Sequence, residues 1–221
     1  MSPEDHYVAF FDVDGTLIHG NSGKSLIKSG YKNGVISTKN FIHALYLSLL
    51  FKLNLRNPVR IMDGMAFWLK GLSEDTVKKL SEEVFHTTLS FDIRPEIVDE
   101  IRQHKERNAR IVILSSAVQF VCLPLAKHLA IDDVICSELE VREGTFTGRF
   151  AGNLCYGDEK ADRLKMYCKQ MNCSPEKAYY YADSISDLQA LLSVGNPVCV
   201  NPDKKLAKLA SGKHWIIHEW H

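Results

Sequence analysis

The sequence predicts an α/β protein, a doubly wound parallel sheet with a helical cap inserted after its first strand. Three observations carry this. Residues 7–17 open with the apolar run Val8-Ala9-Phe10-Phe11 and pass into the turn-forming Asp12-Val13-Asp14-Gly15-Thr16. Residues from about 18 to 90 read as helices, with no convincing strand among them. From about residue 91 short apolar strands alternate with helices, as they do when a parallel sheet is covered on both faces.

The elements follow in order. Val8–Phe11 is the first strand. In the insertion, Phe41, Leu45, Leu49 and Leu53 recur every four residues and form an apolar stripe on a helix. That stretch also contains His43 and Lys52, and at 13 residues it falls short of the roughly 20 apolar residues a spanning helix needs. The expectation is a buried helix or one that packs on a substrate. Asn57-Pro58 starts a further helix with proline in its first turn. Ser73 caps another, with Val77, Leu80, Val84 and Phe85 on one face. Beyond Pro95 a helix leads to the strand Ile111–Leu114, and a helix over Val118–Leu129 leads to the strand Val134-Ile135. A hairpin covers Leu139–Arg149, turning at Glu143-Gly144. Helix, strand and helix follow at Asp162–Met171, Ala178–Ala182 and Ser186–Leu192. The strand Val198–Val200 and a helix over Lys204–Ala210 finish the series. The expected division is a core of residues 1–17 and 91–221 and a cap of residues 18–90.

The 221 residues include 27 Lys and Arg and 27 Asp and Glu, so the overall balance recruits neither nucleic acid nor an anionic membrane. A small charged metabolite is the expected partner. Met1–Tyr7 is polar, carries Glu4 and Asp5, and lacks the basic start and apolar run of a signal peptide. The six cysteines form no Cys-x-x-Cys pair and have mostly apolar flanks, which fits free thiols in a reducing cytosol better than disulfides or a thiolate metal site. The expected setting is cytoplasmic, as monomer or homodimer.

Ligands of open α/β sheets bind beyond the carboxyl ends of the strands. That rule singles out Asp12 and Asp14 after the first strand, Ser115 and Ser116 after the second, and Asp183 and Asp187 after a later one. Carboxylates gathered there repel unless a cation shares them, and a hard ion such as Mg²⁺ suits oxygen ligands. Asp12 and Asp14 are two residues apart and point the same way, so one can attack phosphorus while the other protonates a leaving oxygen and later activates water. Gly15 permits a sharp turn, and Thr16 offers a hydroxyl to fix the loop. A transferring phosphoryl group also needs donors around its oxygens. Ser115 and the backbone N–H of Ser116, just ahead of a helix, supply them, and Lys160 is the candidate cation.

Plainer readings stand beside these. Ser115 and Ser116 also read as helix caps. Lys165 competes with Lys160, and Asp187 reads equally as a helix-face residue paired with a lysine. His214, His218 and His221 show no metal-ligand spacing, His43 sits in an apolar stripe, and the nine histidines read mostly as surface or internally satisfied residues. Tyr179-Tyr180-Tyr181 reads as core.

Taken together and in order, Asp12-Val13-Asp14-Gly15-Thr16, an apolar strand ending at Ser115, Lys160, and Asp183-Ser184-Ile185-Ser186-Asp187 resemble the four motifs of the haloacid dehalogenase superfamily. The first motif is specific when it follows an apolar strand; the second is weak alone. The resemblance spans essentially the whole chain and is nearest to the phosphoserine-phosphatase-like branch, Rossmann-like with a helical cap. It implies that Asp12 is the nucleophile and Asp14 the general acid/base. It further implies that Asp12, the Asp14 carbonyl and Asp183 hold Mg²⁺, that Ser115 and Lys160 bind phosphate, and that Asp187 orients Lys160 or the metal's water. Phosphoserine phosphatases carry a Glu shortly after the nucleophile, but Ile18-His19-Gly20-Asn21-Ser22 has no acid. The expectation therefore moves toward histidinol phosphate or a phosphorylated amino alcohol. A phosphotransferase or phosphomutase, and a binding protein without turnover, remain the alternatives.

Overall fold

The computed structural model describes residues 6–53 and 55–220; Met1–Asp5, with its Glu4 and Asp5, Asn54 and His221 lie outside them. Six parallel strands form one sheet in the order β3-β2-β1-β6-β7-β8. They are β1 (Val8–Phe11), β2 (Arg110–Val118), β3 (Asp133–Ser137), β6 (Tyr179–Ala182), β7 (Asn196–Val200) and β8 (Ile216–His218). β1 is central, with Phe11 in register with Ile113 on one side and Tyr181 on the other. The chain adds strands outward on one side of β1 and then on the other, so a topological switch point lies between β1 and β6.

Alternation along β1 sends its side chains into two cores. Ala9 and Phe11 join Ile111 and Ile113 beneath α6 (Pro95–Glu106) and α7 (Gln119–His128). Val8 and Phe10 join Val112, Leu114 and Tyr180 beneath α8 (Asp158–Gln170), α9 (Leu188–Leu191) and α10 (Lys204–Lys213). This is the two-sided covering that the short apolar strands predict. Five cysteines are buried and Cys173 is partly so, all as free thiols.

The inserted segment comprises α1 (Ser22–Lys32), α2 (Thr38–Lys52), α3 (Pro58–Ala66), α4 (Glu74–Val84) and the short α5 (Ser90–Asp92). Asn57 Oδ1 accepts from the backbone of Val59 and Arg60 to start α3, and Ser73 Oγ accepts from Thr76 to start α4, both as the sequence predicts. The segment joins the sheet by two chain crossings lying side by side. Ile18 bridges Ile93, His19 N donates to Asp92, and Arg94 N donates to Leu17. The hairpin β4 (Leu139–Arg142) and β5 (Thr145–Phe150) turns at Glu143-Gly144, both with positive φ, and leans on this segment through Gly71 N to Phe146 O and Phe146 N to Leu72 O, each 2.9 Å.

Three expectations are corrected. The stripe Phe41/Leu45/Leu49/Leu53 is not the covered face of α2, because Leu45, Leu49 and Leu53 are exposed. Ala44, Leu47 and Leu50 are buried instead, with Leu47 and Leu50 against Ile61 of α3. Both faces of α2 are apolar, so periodicity alone does not tell which is covered. The second strand runs to Val118 rather than ending at Leu114, since its pairing with β3 resumes at Val118–Ser137 after an irregularity. Finally, β8 extends the sheet beyond the last predicted strand, drawing His218 into a ladder with Val200.

Candidate active site

At the carboxyl end of β1, Asp12 N donates to Tyr181 O at 3.0 Å, carrying the β1–β6 ladder one residue further and fixing where the Asp12 side chain emerges. The following loop is held by backbone bonds. Thr16 N and Ile18 N donate to Val13 O, and Leu17 N donates to Asp12 O at 3.2 Å. The Thr16 hydroxyl, expected to fix this loop, is buried and makes no hydrogen bond among the described residues, because the backbone already closes the turn. Gly15, at φ +79°, has a second reason to be glycine: a Cβ there would run into the Asp183 carboxylate.

The first turn of α8 carries Lys160 into the site. Its Nζ lies 2.9 Å from Asp12 Oδ1 and also donates to Asp187 Oδ1, and all three side chains are less than a tenth exposed. Lys165, on the same helix, is exposed. Tyr180 OH donates to Asp187 Oδ1 at 2.9 Å, so Asp187 is a buried, doubly anchored group rather than a helix-face residue. Asp12, Asp183 and Asp187 present carboxylate oxygens that all lie within 4.8 Å of one another. Burial, then the charges of Asp12 and Asp187, push the Asp183 carboxyl up to about 8. Burial also raises Asp187, against the pull of Lys160. Three carboxylates around one ammonium leave surplus negative charge in a poorly solvated place, and such a set of hard oxygen donors fits a divalent cation.

Asp14 belongs to a different environment. Its side chain turns to the start of α1, accepting from Asn21 Nδ2 at 2.9 Å and from Ser22 N at 2.8 Å. Burial raises it to about 6 in spite of those bonds. Asp12 and Asp14 are thus two residues apart yet held differently, one by a lysine and one by neutral donors.

Ser115 is buried within β2 and accepts from Ala117 N at 3.2 Å, while Ser116 is partly exposed. Neither caps α7, which starts at Gln119, so the expected donor array at a helix N-terminus gives way to an extended, irregular strand end. Four residues take positions in the site that the sequence reading does not assign. Asn21 and Ser22 hold Asp14. Asp203 accepts from Ile185 N at 2.7 Å and donates its own N–H to Asp183 O, pinning the Asp183 loop. Arg94 is buried and reaches Gly15 O at 3.3 Å. Asp203 ends the run Asn201-Pro202-Asp203 that follows the fourth motif, but no spacing marks Arg94.

The family model for the haloacid dehalogenase-like hydrolase matches residues 9–192. A probable phosphatase of Mycobacterium tuberculosis is 28% identical over 220 residues, covering 98% of this chain and 76% of the relative. A histidinol-phosphatase of Neisseria meningitidis is 27% identical over 220 residues, covering 95% of this chain and 97% of its own. A solved phosphoserine phosphatase, captured as a phospho-aspartyl intermediate analogue, superposes with a TM-score of 0.75 at 16% identity, covering 98% of this chain and 95% of that one. With its motifs in order on a six-stranded parallel sheet and the family model spanning both insertion and core, the chain belongs to the haloacid dehalogenase-like hydrolases.

Proposed function

We propose that this hydrolase cleaves a small phosphomonoester in two steps through Asp12. The observation that carries the reading is the pair of carboxylates at the switch point, Asp12 on Lys160 and Asp14 on Asn21 and Ser22. Carboxylates driven into different environments take different roles. In the first step an Asp12 oxygen forms a bond to phosphorus as the bond to the leaving oxygen breaks, and Asp14 gives that oxygen its proton. A carboxyl raised to about 6 keeps a usable fraction of that proton near neutrality. In the second step Asp14, now ionised, takes a proton from water as the water oxygen attacks phosphorus, and the Asp12 carboxylate is released with free phosphate.

Lys160, Ser115 and the backbone of Ser116 are the donors toward the phosphoryl oxygens. Asp12, Asp183 and the Asp14 carbonyl would hold Mg²⁺, with Asp187 and Thr16 in support. When bound, the ion neutralises charge on the transferring group. The helical cap, taken at the residues 18–90 that the sequence expects for it, would set specificity. The stretch Ile18–Ser22 offers Asn21 and no acid, and a relative of nearly equal length is a histidinol-phosphatase. Both support histidinol phosphate or a phosphorylated amino alcohol over phosphoserine.

The test measures phosphate release from a panel of phosphomonoesters, with Mg²⁺ and with excess chelator, for the native chain and Asp12→Asn. Release that needs the metal and vanishes in the variant is expected, with histidinol phosphate ahead of phosphoserine. Turnover only when a second alcohol is supplied as acceptor would replace hydrolysis with phosphotransfer, and no turnover at all would overturn the reading.

A further inference from the structure

The zero overall charge hides an uneven distribution. Between Ser22 and Leu72 stand eight lysines and arginines against a single acid, Asp63, leaving 19 basic against 26 acidic residues elsewhere. In the same segment α2 turns an apolar face to solvent. Ile42, Leu45, Tyr46 and Leu49 follow the i, i+3, i+4, i+7 pattern of one helix face, and with Leu53 they are between 51% and 60% exposed. The opposite face of α2 is already used against α3. Exposed Lys39 stands at the start of this strip, and exposed Arg56 and Arg60 stand just beyond its end. No ion pair among the described residues engages any of these three. Five large apolar side chains in one strip form the kind of patch that marks a docking surface.

We propose that this face of α2 docks on an anionic lipid bilayer. Charge complementarity selects that occupant. A second copy meeting this strip face to face would set Lys39, Arg56 and Arg60 against their own like charges, whereas anionic headgroups attract the flanking Lys and Arg while the leucines enter the headgroup boundary. The helix lies on the bilayer rather than crossing it. Its 15 residues measure about 22 Å against a hydrocarbon core of about 30 Å, and no described helix is long and apolar enough to span. Docking concerns where the enzyme sits, and its test reads no catalysis, so it stands or falls apart from the phosphatase reading.

The experiment is flotation of the full chain with vesicles of phosphatidylcholine alone or mixed with phosphatidylglycerol, at low and high salt. Flotation is expected only with the anionic vesicles and is expected to weaken as salt rises. Arg56→Gln and Arg60→Gln should each lower partitioning about fivefold, and Leu45→Ser and Leu49→Ser each roughly tenfold, with circular dichroism unchanged. The salt and headgroup dependence of the native chain tests the idea even if a variant misfolds. Three results would overturn it: no flotation with either vesicle, equal flotation with both, or a self-association or acidic-protein complex that Leu45→Ser and Leu49→Ser abolish without any vesicle binding.

Discussion

The end of the sheet and the tip of the inserted segment break the ordinary rule of burial in opposite directions. At the sheet end Asp12, Lys160 and Asp187 are almost wholly buried. On α2, Leu45, Leu49 and Leu53 face water. Charged groups inside and large apolar groups outside both cost stability, so each marks a place where folding alone did not choose the residues. The difference between them is completeness. The buried charges find partners in one another, Lys160 between Asp12 and Asp187, with negative charge left over for a cation, whereas the exposed leucines meet no apolar counterpart among the described residues.

The largest effect should come from taking the sheet end apart. Asp14→Asn removes the carboxylate held by Asn21 and Ser22, and phosphate release should fall by roughly a hundred- to ten-thousand-fold, with most of the loss in kcat. A variant that keeps native turnover would show that the two carboxylates do not divide the work. Next in size is Lys160→Met, which strands Asp12 and Asp187 without their cation. It should cost about 3–5 kcal/mol in denaturant unfolding, and added divalent metal should recover part of this by supplying the missing charge.

A smaller effect belongs to a third kind of site, a buried histidine that is matched while neutral. His104 accepts from Tyr7 OH at Nδ1 and donates from Nε2 to Tyr181 OH, which in turn donates to Glu100. Burial lowers its pKa to about 4, with Glu100 opposing and Arg107 assisting. The unfolded chain therefore binds a proton near pH 6.5 that the folded chain refuses until about 4. Stability from this group is complete above about 6.5 and drains away as pH falls toward 4, by up to about 3 kcal/mol. Stability measured across that window should flatten in His104→Phe. The smallest contrast is within α2 itself. Leu47→Ala, on the face against Ile61, should cost about 2–3 kcal/mol, while Leu49→Ala should stay within about 0.5 kcal/mol. Equal losses would mean that the outer face is covered after all.

The same contrast explains what could be read from the sequence. β1 and its Asp12–Thr16 turn are legible because an apolar strand followed by paired acids and a glycine is a local pattern. Lys160 is legible by its order among motifs, although only the fold prefers it to Lys165. Asn21, Ser22 and Arg94 are not legible, because their meaning arises when α1 and the segment before α6 approach the loop after β1. The covered face of α2 is undecidable from periodicity when both faces are apolar. β8 escapes because Ile216–His218 is three residues long and is a strand only by virtue of its pairing with β7.

The central position of β1 carries a consequence for how the molecule is made. β1 precedes both of its neighbours, as β2 and β6 begin about 100 and 170 residues later, and Asp12 meets Lys160 across 148 positions of chain. A nascent chain emerging in order holds Phe10 and Phe11 without a strand to pair them until about 100 further residues have followed, which implies slow closure and dependence on protection in the interval. It also means that a chain broken off before α8 carries the acid without its cation. For this topology the candidate site can assemble only after β6 and the loop carrying Asp183 and Asp187 have followed α8.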